Sequence, residues 1–544
     1  MQRLQNESVV DTQIPQCAQF FASANCTYDL AIVGAGISCA YTLIHYLSLL
    51  AEKLASTKER EQQPMIKVAV FDKSGEFWTG IPYGNRSGQQ SLIITALKEF
   101  LPQPERDRFT DWLRANYNSV VSILQERPGI LNRQWLKSYQ EAMEQNNWSQ
   151  IFVPRYLFGW YLKERVVSLL EQAAAQNYLQ CELIKADVSK IQKHSTAYQI
   201  DTTEPHSFLA TKVVLAIGSP PNKTAFFSQL KSLERSPSGN EVCCIANMYE
   251  PSQDSNLELI LKRLQADSSQ AKQVLIIGSN ASALETIYSL NNLPEVAKLI
   301  SKFVVVSTSG AFPHPIINAP VSETFVAKNL DLLIQQSDFT AKQIYQAVQQ
   351  DVAAALANNE TIDGTYTIIS QKVIKALNQL SYSEQKQFVI EYGVKIGKFQ
   401  RRAGLDYLNV ADKLMLEGKL EFIQGKFTNI IPLAKNQFGF EFVTPSNQTE
   451  TFTTPIQVVI NCAGFQDLTQ SSSPLINNLI QQGICTPNDS HAGFEMNENF
   501  EAQQNFYLMG PLVAGNINDK LKVWHAESCS RIFNLSHSLA EVLL

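Results

Sequence analysis

The sequence lacks several features that would place it in a common functional class. Its 544 residues carry a net charge of −6 and contain no long basic run, which argues against nucleic acid as the main partner. No apolar run is long enough to cross a bilayer, and residues 1–27 show no basic segment followed by an apolar one. We therefore expect no integral membrane segment and no export signal.

Redox dithiols and metal-ligand patterns are also missing. The nine cysteines are scattered and form no CxxC pair, since Cys243 and Cys244 are adjacent. This favours reduced thiols in the cytoplasm and argues against a disulfide-reductase flavoprotein. The seven histidines show no metal-ligand spacing with one another or with cysteines, so no metal site is predicted. The remaining composition, 44% hydrophobic and 18% charged, is typical of a soluble chain with two or more domains.

The most informative stretch that is present is YDLAIVGAGISCA, residues 28–40. A short apolar strand meets Gly34-Ala35-Gly36 and opens into an amphipathic helix, which is typical of a dinucleotide-binding βαβ unit. Gly34 permits the tight turn, Gly36 lets a pyrophosphate approach the backbone, and the helix N-terminus attracts phosphate. Cys39 stands at the third position of the fingerprint, where Gly or Ala is usual. A glycine-rich turn in another α/β protein is the alternative interpretation.

A second strand at residues 67–72 ends in Asp72, which fits the acidic residue that accepts hydrogen bonds from the adenosine ribose. An acidic residue that merely ends a strand is the simpler alternative. The loop that follows, GEFWTGIPYG at 75–84, lies where a flavin ring would lie if the nucleotide is FAD. Trp78 or Tyr83 would then pack on the ring, although a loop with its own aromatic anchor explains the pattern equally well.

A second unit of the same kind begins near residue 273. An apolar strand runs into Gly278-Ser279-Asn280 and a helix, and each unit closes with an apolar strand that ends at Gly218 or Gly464. The first and last glycines of the two units are each roughly 185 residues apart, a self-similarity that predicts a structural repeat. Two such units imply two nucleotides, or one nucleotide and a relic.

The predicted fold is α/β, with two Rossmann-like dinucleotide-binding domains, the second inserted in the first. The tail contains a strand before Gly510-Pro511 and a final helix, and both are expected to return to the first domain. The predicted division is an arm at 1–27, an FAD-binding domain at 28–235 and 466–544, and an NAD(P)-binding domain at 236–465 with a helical insertion near 322–413.

Six motifs in this order resemble a known family. They are YDLAIVGAGISCA, KVAVFDKSGEFWTGIPYG, FVPRYLFGWYL, VVLAIGSPP, VLIIGSNASALE and VVINCAGF. Together they resemble the FAD-NAD(P)-binding family that contains urate-hydroxylase-like and amino-acid N-oxygenating flavoproteins, and more distantly the ornithine and lysine N-monooxygenases. The resemblance covers residues 28 to about 535 and implies FAD and NAD(P)H as cofactors.

The resemblance also implies the positions of both cofactor sites. With the adjoining turn residues, the predicted FAD set is Gly34, Ala35, Gly36, Cys39, Asp72, Gly80, Pro82, Tyr83, Gly218, Gly510 and Pro511. The predicted nicotinamide-nucleotide set is Gly278, Ser279, Asn280, Ser282, Ala283, Glu285 and Gly464. Two departures stand out in the second unit. Asn280 replaces a glycine and would crowd the pyrophosphate, which leaves open how tightly either cofactor binds. Thr308-Ser309-Gly310 stands where relatives often carry arginines suited to a 2′-phosphate, which leaves the choice between NADH and NADPH open.

The leading hypothesis is an FAD-dependent monooxygenase. NAD(P)H would reduce FAD, the reduced flavin would take up O₂ at C4a, and one oxygen would pass to a small amine, amino acid or heteroaromatic substrate. The alternatives are a flavin reductase or oxidase without oxygen transfer, and a flavin-binding protein that has lost nicotinamide turnover. The sequence identifies neither the substrate, the oligomeric state nor a catalytic side chain. Candidates for substrate or flavin contact are Arg155, Arg401, Arg402, Trp524 and His525, with a salt-bridge or packing role as the simpler interpretation.

Overall fold

The computed structural model describes residues 27–56, 64–126, 129–224, 242–269, 271–317, 319–399, 401–433, 437–518 and 520–544. The predicted arm, apart from its last residue, and the predicted boundary at 235/236 lie outside the described residues. The strands are β1 Thr27–Val33, β2 Ile66–Asp72, β3 Leu179–Lys185, β4 Val188–His194, β5 Ala197–Thr202, β6 Ser207–Leu215, β7 Cys243–Ile245, β8 Gln273–Ile277, β9 Lys302–Ser307, β10 His314–Pro315, β11 Arg402–Ala403, β12 Leu420–Gln424, β13 Lys426–Pro432, β14 Phe438–Val443, β15 Thr449–Phe452, β16 Val458–Asn461, β17 Glu501–Gln503, β18 Phe506–Leu508, β19 Asn516–Ile517 and β20 Lys522–Val523.

Helices connect and cover these strands. They are α1 Ile37–Ser56, α2 Gly80–Tyr83, α3 Leu97–Phe100, α4 Glu105–Ala115, α5 Tyr117–Glu126, α6 Ile130–Glu144, α7 Arg155–Ala175, α8 Gln253–Ala266, α9 Ala281–Asn292, α10 Pro294–Ala297, α11 Lys328–Ile334, α12 Ala341–Ala357, α13 Ile362–Gln379, α14 Tyr382–Gln387, α15 Gly393–Phe399, α16 Leu405–Leu416, α17 Pro474–Gln481 and α18 Cys529–Leu543. No helix in the described ranges has the length and apolarity that crossing a membrane requires.

The first sheet has the strand order β17-β18-β6-β1-β2-β3, with β5 and β4 attached to β6 as an antiparallel meander. Strands β18, β6, β1, β2 and β3 run parallel. The side chains of Ala31, Ile32 and Val33 on β1 are almost completely buried, as expected for a parallel strand covered on both faces. Helix α1 packs against α7 and α18.

The second sheet is parallel throughout, with the order β12-β9-β8-β16-β7. Every residue of β8 is buried, which explains why its sequence is continuously apolar after Gln273. A separate antiparallel sheet, β13-β14-β15, packs beside it.

The chain leaves the first sheet after β6 and returns to it at β18, which lies parallel to β6 with Phe506 opposite Val213. All strands of the second sheet come from the intervening chain. The α/β prediction, with one parallel unit inserted in another, is confirmed. Within the inserted part, helices α11 to α15 share an apolar core of their own, which includes Ile344, Val348 and Phe388.

Candidate functional site

The first glycine turn joins β1 to α1 at the carboxyl edge of the first sheet. Gly34 has a φ of +99°, and a Cβ on it would lie 2.5 Å from the carbonyl oxygen of Ala216, just beyond β6. The Gly34 N–H donates to the Phe71 carbonyl at 2.9 Å. An L side chain would be strained by the backbone conformation and would overlap the neighbouring chain, so this turn requires glycine.

The loop after β2 folds back over this turn. The Trp78 N–H donates to the Ala35 carbonyl at 2.6 Å, and the Trp78 side chain is almost completely buried. Gly80 Cα lies 3.5 Å from the place that a Cβ of Gly36 would take. The loop backbone therefore covers the side of Gly36 on which a side chain would lie. A branched side chain at position 36 would displace the loop. The buried Trp78 ring anchors the loop.

Several observations at this turn fit a bound dinucleotide. The Thr79 hydroxyl is buried and has no hydrogen-bond partner within the described residues. Leaving such a group unsatisfied costs about 1–3 kcal/mol, which a polar ligand at this position would offset. Gly510, with φ +87°, approaches so closely that a Cβ would lie 2.5 Å from Ser38 Oγ at the start of α1. The structure thus brings the tail glycine to the same turn.

Asp72 ends β2, beside the turn. Its Oδ1 accepts hydrogen bonds from the backbone N–H groups of Ser74 at 2.8 Å and Gly75 at 3.0 Å, and from the Ser74 hydroxyl at 2.5 Å. Within the described chain, Oδ2 makes no hydrogen bond. Asp72 therefore stabilises its own turn with one carboxylate oxygen, and the second oxygen can accept a hydrogen bond from a ligand.

The remaining residues of the predicted FAD set differ in accessibility. Cys39 is completely buried and burial raises its thiol pKa, so it packs α1 on the sheet. Gly218, with φ +82°, has no atom within 4 Å of the position that a Cβ would take, and it faces open space. The Tyr83 hydroxyl lies 2.8 Å from Cys529 Sγ at the start of α18, and Pro82 beside it is exposed. Pro511 directly follows Gly510 in a short 3₁₀ turn.

The second glycine turn repeats the backbone of the first. Gly278 has a φ of +104°, and a Cβ on it would overlap the Cys462 carbonyl, just beyond β16. Its N–H donates to the Val306 carbonyl at 2.8 Å. Gly464, with φ +86°, faces open space as Gly218 does. Counting from the first glycine of each turn, Ala283 matches Cys39, and both are completely buried.

Side chains distinguish the second turn from the first. Asn280 stands where Gly36 stands, is exposed, and accepts a hydrogen bond on Oδ1 from Arg401 Nη1 at 2.6 Å. The Ser279 hydroxyl lies 2.9 Å from the Ser309 hydroxyl, which lies 3.2 Å from that of Ser307 at the end of β9. Neutral hydroxyl groups therefore occupy the edge where a nucleotide ribose is expected.

Lys302 is not part of this edge. It begins β9, whereas Ser307 ends it, and five residues of strand span about 16 Å. Its ammonium group pairs with the Glu421 carboxylate at 2.7 Å. Ser282, also predicted at the second site, is exposed in the first turn of α9 beside Asn280.

Glu285 does not face the second turn as a nucleotide ligand would. Its carboxylate forms a bidentate pair with the Arg155 guanidinium and accepts a hydrogen bond from the Tyr249 hydroxyl. Arg155 Nε also donates to the Leu92 carbonyl at 2.8 Å. Burial lowers the pKa of Arg155, but the Glu285 carboxylate and three nearby tyrosines together raise it above its ordinary value. The Glu285 side chain thus ties α9 to α7, which belongs to the first unit.

Sequence reasoning missed the residues that complete this buried link. The Tyr407 hydroxyl accepts from the Leu92 N–H at 2.6 Å and donates to the Leu92 carbonyl at 3.1 Å. Tyr288 packs edge-on against the Tyr407 ring, with centroids 5.1 Å apart. These tyrosines are far apart in the sequence, so no local pattern predicts that they meet. The sequence feature that could have indicated a buried partner is the acidic Glu285 among the apolar residues of α9.

The other arginine and aromatic candidates occupy different places. Arg402 pairs with buried Asp363 and with Glu99, so it joins α13 to α3. Trp524 packs against Phe388 of the helical part, with ring centroids 5.8 Å apart. Both therefore have the structural role that was the simpler interpretation.

His525 and Arg401 lie together at the junction of the tail and the helical part. Desolvation, together with the Arg531 and Arg401 cations, lowers the pKa of His525 to about 4. Desolvation raises the pKa of Glu527, while Arg401 lowers it. The side chains of Arg401, His525 and Glu527 are all exposed to solvent. No cluster of potential metal ligands exists in the described part of the chain.

Comparison with known proteins identifies the family. A family described as FAD-NAD(P)-binding matches residues 31–220. An uncharacterized protein of Mycobacterium tuberculosis and one of Mycobacterium bovis are each 30% identical to this chain over 524 residues, covering 95% of both chains. The chain belongs to the FAD-NAD(P)-binding family. This confirms the predicted family, its cofactors FAD and NAD(P)H, and its class as an oxidoreductase.

Some solved structures are similar to this chain at low identity. Ornithine hydroxylase (PvdA) of Pseudomonas aeruginosa is 15% identical, with a TM-score of 0.48 over 95% of this chain and 100% of that chain. L-lysine 6-monooxygenase of Pseudomonas syringae is 14% identical, with a TM-score of 0.45 over 95% and 99% of the two chains. Such scores are too low to transfer the activity of either protein to this family member.

Proposed function

We propose that this protein is an NAD(P)H-dependent FAD monooxygenase that oxygenates a small amine, amino acid or heteroaromatic compound. The observation that carries the proposal is the pair of matching glycine turns, each at the carboxyl edge of its own parallel sheet. One turn holds FAD and the other holds NAD(P)H. Bound FAD supplies the two-electron chemistry and the activation of O₂.

The same geometry supports our proposed domain division. We assign residues 28–235 and 466–544 to the FAD-binding domain, since β18 pairs with β6 and α18 packs on α1. We assign residues 236–465 to the NAD(P)-binding domain, with the helical part near 322–413 inside it.

The residues of this chain bind, orient and shield the cofactors. Gly34, Gly36 and Gly80 shape the FAD pyrophosphate turn, Asp72 accepts from the ribose, and Gly510 closes the turn from the tail. The buried Arg155–Glu285 pair holds the second unit against the first and thereby fixes the approach of the nicotinamide. The exposed surface around His525 and Glu527 is the proposed place of the substrate.

Oxygen transfer is favoured over dithiol reduction by the sequence itself. The chain contains no CxxC pair, the motif through which disulfide-reductase flavoproteins pass electrons on from FAD. Its absence supports O₂ with a small organic substrate as the electron acceptor. The scattered thiols also support the proposed cytoplasmic location.

The proposal is tested by anaerobic stopped-flow absorbance. The purified protein should be yellow, with one FAD per chain, and NADPH or NADH should bleach the flavin. Reoxidation with ¹⁸O₂ in the presence of a panel of amino acids, amines and purines should yield a product that carries one labelled oxygen. Hydrogen peroxide without labelled product would support the reductase or oxidase alternative, and no bleaching would support the binding protein that has lost nicotinamide turnover.

A further inference from the structure

Arg401 reaches the second glycine turn from outside the βαβ unit. Its Nη1 donates to Asn280 Oδ1 at 2.6 Å, and Asn280 is the residue that immediately precedes α9. The Asn280 side chain does not cap α9, because its oxygen is engaged by Arg401. The positively charged guanidinium group therefore lies beside the N-terminus of α9, which carries a partial positive charge of its own. An anionic ligand between the two would relieve their repulsion.

The backbone around Arg401 is firmly held. The Arg401 carbonyl accepts from the His314 N–H at 2.9 Å, and β11 begins at the next residue. Arg402 is fixed in turn by Asp363 and Glu99. The Arg401 side chain is exposed and forms no ion pair within the described residues, and Glu527 is the carboxylate whose pKa it influences.

We propose that Arg401 binds the pyrophosphate of the nicotinamide nucleotide and that Asn280 positions its guanidinium for this contact. The proposal rests on the proposed function, namely that the second turn binds NAD(P)H. An anion bound here would accept hydrogen bonds both from the backbone N–H groups at the α9 N-terminus and from the Arg401 guanidinium. The cation would thereby supply the attraction that makes Asn tolerable where the first turn has Gly36.

The position of Arg401 selects the pyrophosphate rather than the 2′-phosphate of NADPH. The second position of a glycine turn lies against the pyrophosphate, whereas the ribose hydroxyls lie at the end of the second strand of the unit. Here that strand end is Ser307, with the Ser309 hydroxyl beside it. Because the pyrophosphate is common to NADH and NADPH, Arg401 should strengthen the binding of both.

The test measures dissociation constants for NADP⁺ and NAD⁺ by isothermal titration calorimetry of the FAD-loaded protein. Loss of a charge-assisted contact in Arg401→Gln should raise both constants by roughly 10- to 100-fold and by a similar factor. Arg401→Lys should recover part of the loss, since a point charge remains. Lys302→Gln is the matched control, because it removes one positive charge from the same unit at the far end of β9.

The outcomes separate this inference from the function on which it rests. Wild-type protein that binds neither nucleotide would overturn the proposed second site and with it the role of Arg401. Wild-type protein that binds both, with Arg401→Gln within twofold of it, would overturn the inference alone. A loss confined to NADP⁺ would also overturn it, because the contact would then be to the 2′-phosphate. Flavin content, read from the visible spectrum, should be equal in all four proteins.

Discussion

The two glycine turns have the same backbone and different side chains. In each, a glycine with φ near +100° fits against a carbonyl of the last parallel strand. In each, its N–H donates to the residue before the end of the second strand, at 2.9 Å for Gly34 and 2.8 Å for Gly278. The shared geometry shows that this turn requires glycine at its first position. The side chains that differ determine which chemical groups each turn presents to a ligand.

The differences concern charge. Asp72 and Ser307 end the equivalent strands, so the first edge is anionic and the second is neutral. The second turn also has a cation, Arg401, where the first has only glycine backbone. An anionic edge favours ribose hydroxyl groups and repels phosphate, whereas a neutral edge with a nearby cation accepts either. The two strand ends therefore differ in whether they can accept a phosphate group beside the ribose.

The helices that follow the turns differ as well. Tyr41 of α1 and Glu285 of α9 are seven residues beyond their first glycines and are almost completely buried. The Tyr41 hydroxyl has no hydrogen-bond partner in the described ranges, while Glu285 is paired with Arg155 and Tyr249. The first helix is thus held by apolar packing, and the second by a buried ion pair that joins it to the other unit.

The largest effect is expected when either first glycine gains a Cβ. Gly34→Ala and Gly278→Ala should each lower the free energy of unfolding by about 3 kcal/mol or more, because the φ is unfavourable and a carbonyl occupies the space. Gly34→Ala should lose FAD, and Gly278→Ala should lose nicotinamide nucleotide while it retains FAD. Chemical denaturation and flavin content provide the measurements.

Gly464→Ala is the control for this pair. Gly464 has a similar positive φ, but nothing lies within 4 Å of the added Cβ. Gly464→Ala should lower the free energy of unfolding only through backbone strain, by about 1 kcal/mol. Equal losses of unfolding free energy in Gly464→Ala and Gly278→Ala would mean that overlap with the Cys462 carbonyl does not contribute to the loss at Gly278.

The next largest effect is expected at the buried link. Glu285→Gln leaves the Arg155 guanidinium buried without a counter-charge, which should lower the free energy of unfolding by about 3 kcal/mol. Glu421→Gln breaks the exposed pair with Lys302 and should cost at most about 1 kcal/mol. Comparable costs in urea denaturation would show that the link does not stabilise the assembly of the two units.

A feature of the fold or of the two sites could be predicted from the sequence when neighbouring residues determine it. The apolar strands, the glycine turns and the return of the tail were predictable, because a βαβ turn has a fixed local pattern. Strand β4 has no such pattern, since Val188–His194 is half exposed and polar. The Arg155–Glu285 and Arg401–Asn280 contacts join residues more than 100 positions apart, and no local pattern encodes such pairs. Closeness in sequence is also a poor guide to position, because Lys302 and Ser307 lie at opposite ends of β9.

A smaller effect should follow when the second edge is made like the first. Ser307→Asp places a carboxylate where Asp72 stands in the first unit, and it should repel a 2′-phosphate while it accepts from ribose hydroxyls. We expect the NADP⁺ dissociation constant to rise by about tenfold, which corresponds to about 1.4 kcal/mol, with NAD⁺ binding nearly unchanged. Wild-type protein should prefer neither nucleotide by more than about tenfold, because Ser307 and Ser309 are neutral. A uniform loss for both nucleotides in calorimetry would contradict the comparison of the two strand ends.

The smallest effect is expected when the second turn receives the glycine of the first. Asn280→Gly removes the side chain that holds Arg401, which weakens the alignment of the guanidinium, but it also lets the pyrophosphate approach the backbone more closely. Stability should change by only a few tenths of a kcal/mol, because Asn280 does not cap α9. The two effects on binding oppose each other, so both dissociation constants should stay within about threefold of wild type. A loss greater than about tenfold would contradict this balance and would mean that the positioning of Arg401 by Asn280 outweighs the closer approach of the pyrophosphate.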